Sequence, residues 1–254
     1  MTWWDAAFLA AAGVLGGLTG SIAGLASVAT YPALLIVGLP PVTANVTNTV
    51  ALVFNGVGSV WGSHPELKGQ GPWIKRILPV VALGGVVGAA LLLSTPAEGF
   101  ERIVPILLAV ASLAILLPRR AYREARVASH RRHTATVLLE SAAIFVISIY
   151  GGYFGAAAGV LLLALLLRAG GATLADANAG KNVILGVANG VAAVVFVLFA
   201  PVQWLAVVPL GLGCLVGSRL GPVVVRHAPA GPMKVLIGAA GLAVAIRLAV
   251  DAYG

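Results

Sequence analysis

The chain of 254 residues is 60% hydrophobic and only 9% charged, with a mean hydropathy of +1.02, whereas a soluble domain carries about 25% charged residues. Water is thereby excluded as its main solvent. A formal charge of +8 arises from 16 Lys and Arg against 8 Asp and Glu; because the basic residues gather in the breaks between apolar runs, they mark membrane topology and not a nucleic-acid surface.

The N-terminus, Met1 to Asp5, lacks the basic leader of a cleavable signal and runs into an apolar stretch too long for one, so it is expected to belong to the mature protein. That stretch, 5–39, is too long for one upright crossing, since a helix of its length would reach about 52 Å at 1.5 Å per residue. Gly16, Gly17, Gly20 and Gly24 interrupt it. Three ordinary spans of the length that crosses hydrocarbon follow at 44–62, 77–94 and 102–118, then an Arg-rich segment, 119–133. A second overlong stretch, 134–168, is interrupted by Gly151, Gly152, Gly155 and Gly159. Spans at 181–200, 202–219 and 232–250 complete the chain.

Loop charge decides how the two long stretches lie, because cytoplasmic loops hold the excess of Lys and Arg. If each crosses once, the 16 cations divide ten against six. If each enters and returns to the same side, only Arg102 and Arg247 lie on one face and the other fourteen gather opposite. The second arrangement predicts re-entrant or double-crossing hairpins, outward termini and cytoplasmic loops at 63–76, 119–133, 169–180 and 220–231.

Gly17, Gly20 and Gly24 recur 135 residues later as Gly152, Gly155 and Gly159, and Asn48 and Asn55 recur 134 residues later as Asn182 and Asn189. Each half then holds a hairpin and three crossings, and an odd number of crossings turns the second copy over. The expected fold is all-α: a polytopic integral membrane protein of two inverted repeats, each a Gly-broken helical hairpin plus three transmembrane helices. Residues 1–118 form the first repeat, 119–133 a cytoplasmic linker and 134–254 the second repeat. In secondary transporters of this design the substrate lies near the midplane between repeats, beside broken helices.

Chemistry-bearing residues within the spans are few. His64, His130, His133 and His227 fall in loops or at span ends, so no metal site, no cofactor and no catalytic residue is expected. Glu140 is the acid nearest membrane depth, and it reads either as a proton relay or as an interfacial residue. Cys214 is alone, which excludes an intrachain disulfide. The amides form stripes: Asn45, Asn48 and Asn55 share one helical face, as do Asn178, Asn182 and Asn189. They either glue helices together or, with Thr19, Gly20, Ser21, Tyr153 and Gly155 at the breaks, bind substrate. Lys181 beside the second stripe either supplies a charge to an anion or snorkels to the cytoplasmic surface. Half-helix N-termini carry partial positive charge that suits an oxyanion. A passive anion channel and, more remotely, an intramembrane enzyme using Glu140 and Cys214 are the alternatives to a carrier.

The segment GLTGSIAGLASVATYPALLIVGLPPVTANVTNTVALVFNGVGSVWG at 17–62 resembles the sulfite exporter TauE/SafE family of membrane permeases. A degenerate second copy, GGYFGAAAGVLLLALLLRAGGATLADANAGKNVILGVANG at 151–190, strengthens the resemblance. It implies export or uptake of a small sulfur-containing anion such as sulfite, sulfoacetate or another organosulfonate. It also implies a multi-pass protein of the cell membrane whose partners are that anion, the lipid bilayer and a coupling ion, proton or sodium. Homo-oligomerisation stays open.

Overall fold

The computed structural model describes residues 1–116, 134–168 and 173–227, together with scattered positions from 239 to 253. The linker 119–133 and the span expected at 232–250 therefore lie wholly or largely outside the described residues. What is described is all-helical: α1 (Trp3–Ala23), α2 (Ala26–Ile36), α3 (Pro41–Gly62), α4 (Gly71–Ser94), α5 (Ala97–Leu116), α6 (Thr134–Tyr153), α7 (Ala158–Arg168), α8 (Leu174–Phe199) and α9 (Trp204–His227). Four of them, α1, α4, α8 and α9, are long and apolar enough to cross a membrane. The amides and hydroxyls of α3 dilute its apolar character, and they are buried inside the bundle, away from lipid.

Both long stretches break, each at a glycine that can take the left-handed conformation without a Cβ penalty. Gly24 has φ 76° and closes α1 by donating its N–H to Gly20 O, while Leu25 N–H reaches Thr19 O. Gly155 has φ 73°, and Ala157, at φ 60°, also enters the left-handed region. An alanine there is strained, and Tyr150 offsets the cost by donating its hydroxyl to Ala156 O at 2.7 Å. The returning arms α2 and α7 hold 11 residues each, so they span about 16 Å and stop far short of crossing ~30 Å of hydrocarbon.

Two boundaries differ from the sequence reading. The glycine offset of 135 pairs Gly24 with Gly159, whereas the left-handed glycines that make the breaks are Gly24 and Gly155; the duplicated glycines mark close packing as well as turning. Helix α8 begins at Leu174, seven residues before the expected span, because Thr173 and Asp176 form a capping box: Thr173 Oγ1 accepts from Asp176 N–H and the Asp176 carboxylate accepts from Thr173 N–H. Asn178 and Lys181 therefore lie inside a helix and not at its mouth.

Glycines set the packing. A Cβ on Gly13 would meet Leu210 O at 2.3 Å, one on Gly17 would meet Cys214 O at 2.3 Å, and one on Gly217 would meet Val14 O at 2.0 Å. Residue numbers rise together along this contact, so α1 and α9 run parallel at backbone distance. The other half repeats the arrangement: Gly84 lies against Phe145 and Ser148, and Gly88 against Ile149 and Tyr153, so α4 and α6 are parallel too. The first helix of each hairpin thus packs on the second span after the other hairpin, α1 on α9 and α6 on α4. Between these pairs, α3 crosses α8 at Gly56 and Gly186 and meets it again where Asn182 bonds Ser63, so these two helices are antiparallel. The core runs continuously through α1, α2, α3, α5 and the second break.

Gly217→Val is expected to lower the melting temperature in detergent by about 5 °C or more, since overpacking against a backbone carbonyl costs on the order of 1 to 3 kcal/mol. Gly71→Ala meets nothing within 4 Å and is expected to leave it unchanged.

Candidate functional site

A chain that breaks a helix inside a membrane leaves backbone groups without partners, and in lipid each must find one within the protein. At the first break the partner of the carbonyl end comes from the second half. Lys181 of α8 is fully buried, and its Nζ donates to Gly20 O at 3.0 Å and Ser21 O at 3.1 Å, the last turn of α1. At the second break it comes from the first half: Asn45 Nδ2 of α3 donates to Tyr153 O, the last residue of α6, at 2.8 Å. Both carbonyl ends are therefore capped by helices distant in sequence, α8 for α1 and α3 for α6.

The amino ends of the returning arms meet each other. The Cβ that Gly24 lacks would fall 2.2 Å from Gly159 Cα, and the reverse distance is 2.3 Å, so the starts of α2 and α7 touch backbone to backbone. Beside this contact lies a small cleft lined by Gly24, Ala26, Ser27, Leu52, Asn55, Gly151, Gly155, Leu185 and Asn189. Asn55 is 8% exposed, and its Oδ1 is buried without a hydrogen bond, close to the Cα of Gly20, where an added Cβ would stand 3.1 Å away. A buried amide left unpaired costs on the order of 1 to 3 kcal/mol.

The sequence-predicted residues divide. Asn55, Asn189 and Gly155 line the cleft, and Gly20 adjoins it. Asn48 is engaged elsewhere, accepting from Thr30 Oγ1 and donating to Ser27 Oγ at 3.2 Å, so it ties α3 to α2. Asn182 donates to Ser63 Oγ at 3.1 Å and ties α8 to the end of α3. Thr19 and Ser21 bond back into α1, to Gly16 O and to Gly17 O and Leu18 O. The Tyr153 ring packs on Phe100 at 5.9 Å, beside the edge-on pair Tyr31 and Phe154 at 5.2 Å. Asn178 Oδ1 is buried and unbonded, like Asn45 Oδ1. Lys181 is fully buried and does not reach the surface. Ser27, Ala26 and Gly151 were missed by sequence reasoning; Ser27 follows Gly24 by three residues, which places it in the first turn of α2.

The family model described as sulfite exporter TauE/SafE matches residues 9–248. The chain belongs to this family. It is 32% identical to "Probable membrane transporter protein ORF9" of a Sinorhizobium species over 96% of this chain and 92% of that one. It is 24% identical to "Probable membrane transporter protein YfcA" of Escherichia coli K12, with 95% and 88% covered. A probable membrane transporter protein of Haemophilus influenzae is 25% identical, with 85% and 83% covered. No solved structure matches significantly. With four helices able to cross a bilayer, this TauE/SafE member is a membrane-embedded protein of the transporter class. Among the described residues no group of His, Cys, Asp or Glu could hold a metal ion.

Within this TauE/SafE chain the bonds of Asn48 and Asn182 hold helices together. Asn48→Ala and Asn182→Ala are each expected to lower the unfolding free energy by about 1 kcal/mol, read as a lowered melting temperature of the purified protein.

Proposed function

We propose that the protein is a secondary transporter for a small oxyanion, a sulfur-containing one such as sulfite or an organosulfonate, working by alternating access between inverted halves of a cell-membrane protein. The observation that carries this reading is the contact of two half-helix N-termini, at Gly24 and Gly159, beside a cleft that the start of α2 lines and whose polar lining is neutral. In the first turns of α2 and α7 the N–H groups of Val28, Ala158 and Val160 bond Leu25 O, Gly155 O and Ala157 O, while those of Ala26, Ser27 and Gly159 have no backbone acceptor; with the partial positive charge of each helix start, these suit an oxyanion. Asn55 and Asn189 add amide donors without a full charge. An asparagine amide can turn over at little steric cost, so Asn55 can offer its nitrogen to an anion.

The inverted arrangement draws support from helix direction: α3 and α8, the first spans after each hairpin, run antiparallel where they cross. The sulfur oxyanion draws support from the family description. Loop charge supports outward termini, with the α3–α4 connection in the cytoplasm.

Proteoliposomes holding the purified protein are expected to take up labelled sulfite or a sulfonate. Flux of a cation with no flux of any sulfur oxyanion would falsify the assignment, and unitary currents in a planar bilayer would turn it toward a channel. Asn55→Ala is expected to lower anion flux about tenfold or more, the loss of one charge-assisted hydrogen bond, while the melting temperature stays within about 2 °C of wild type. For orientation, Lys68→Cys should react with a membrane-impermeant thiol reagent only from the cytoplasmic face and Glu98→Cys only from outside.

A further inference from the structure

We propose that Lys181 is a tethered cation, standing at the carbonyl end of α1 in the place that a free monovalent metal ion takes where a broken membrane helix is left uncapped. The carbonyl end of a helix carries about half a negative charge. In transporters built on discontinuous helices, such ends and the unwound carbonyls beside them coordinate the coupling cation. Here the end of α1 is fully inside the protein, with Gly20, Ser21, Ile22 and Ala23 all buried. The group on its carbonyls is an ammonium carried in from the opposite half, at ordinary hydrogen-bond distances to Gly20 O and Ser21 O.

Comparison of the two halves makes the charge specific to this break. Asn48 and Asn55 recur as Asn182 and Asn189, so equivalent positions in α3 and α8 differ by 134. Lys181 then corresponds to Thr47. In the first half that position is a neutral hydroxyl, which accepts from Gln203 N–H at 3.1 Å. In the second half it is a cation reaching across to the other hairpin. The second break receives only the neutral amide of Asn45 on Tyr153 O. A mere hydrogen-bond clip is therefore available to this fold without a charge, and the first break carries a charge nonetheless.

Lys181 as a positioning residue predicts that a free ion becomes useful only when the ammonium is gone. The inference goes beyond anion transport and is tested without measuring flux. Wild type, Lys181→Arg, Lys181→Gln and Lys181→Ala are melted in detergent at equal ionic strength in sodium chloride or choline chloride. Lys181→Gln keeps a donor and adds an oxygen beside the two carbonyls, whereas Lys181→Ala leaves room for an ion with water. Wild type and Lys181→Arg should melt alike in the two salts. The neutral variants should melt about 5 °C lower in choline and regain most of that loss in sodium. Equal melting in both salts for whichever neutral variant folds overturns the proposal. So does a wild type that itself melts higher in sodium than in choline, because the first break would then take a free ion beside Lys181.

Discussion

Everything near the centre of the molecule depends on how the two broken helices satisfy their carbonyl ends. A turn made at Gly24 or Gly155 costs little in backbone strain, but it exposes the last carbonyls of α1 and α6 inside a solvent that offers no donors. The chain meets this by crossing over: Lys181 from the second half holds Gly20 and Ser21, and Asn45 from the first half holds Tyr153. Neither hairpin is complete alone, so the two are bound into one body by the same bonds that let them break.

The glycine contacts carry that exchange along the length of the bundle. Parallel neighbours cannot come from helices joined by a short loop, so α1 lies on α9 and α6 on α4, each partner drawn from the other half. Backbone-distance contact at Gly13, Gly17 and Gly217 gains dispersion energy where burial of apolar surface drives nothing, since lipid is as apolar as the core. The same economy of side chain at Gly24 and Gly159 brings the amino ends of α2 and α7 together.

Much of this was legible in the sequence. Overlong apolar runs with glycine clusters can only break, and loop charge favours hairpins that return; α1–α2 and α6–α7 do break where those clusters lie. The start of α8 was also written in the chain, in Thr173 and Asp176, but a reading tuned to apolar length passes over a capping box made of polar residues. The glycine offset pairs Gly24 with Gly159, whereas the turn is made at Gly155, because Gly159 serves contact with Gly24 and not a turn. What periodicity could not show is which amides of a stripe are already bonded. Asn48 and Asn55 share a face of α3, yet the hydroxyls of Ser27 and Thr30, on a separate helix, engage the first and leave the second unbonded.

The division of labour among these polar groups bears on how an anion could be both held and released. A bare ammonium about 4 Å from an anion in a poorly solvated site is worth several kcal/mol even at an effective dielectric of 20, enough to trap what should pass through. In this chain the one buried lysine among the described residues turns its charge to the end of α1. Its field thereby cancels the negative pole that would otherwise oppose an anion beside Gly20. Of the four helix poles at the two breaks, the negative pair is capped, the positive pole of α2 borders the cleft at Ala26 and Ser27, and that of α7 lies beside it, against Gly24. The lining there offers partial charges and neutral amides only, so an anion held there would be bound by several modest donors, and their loss in turn, as such a site opened, would set it free.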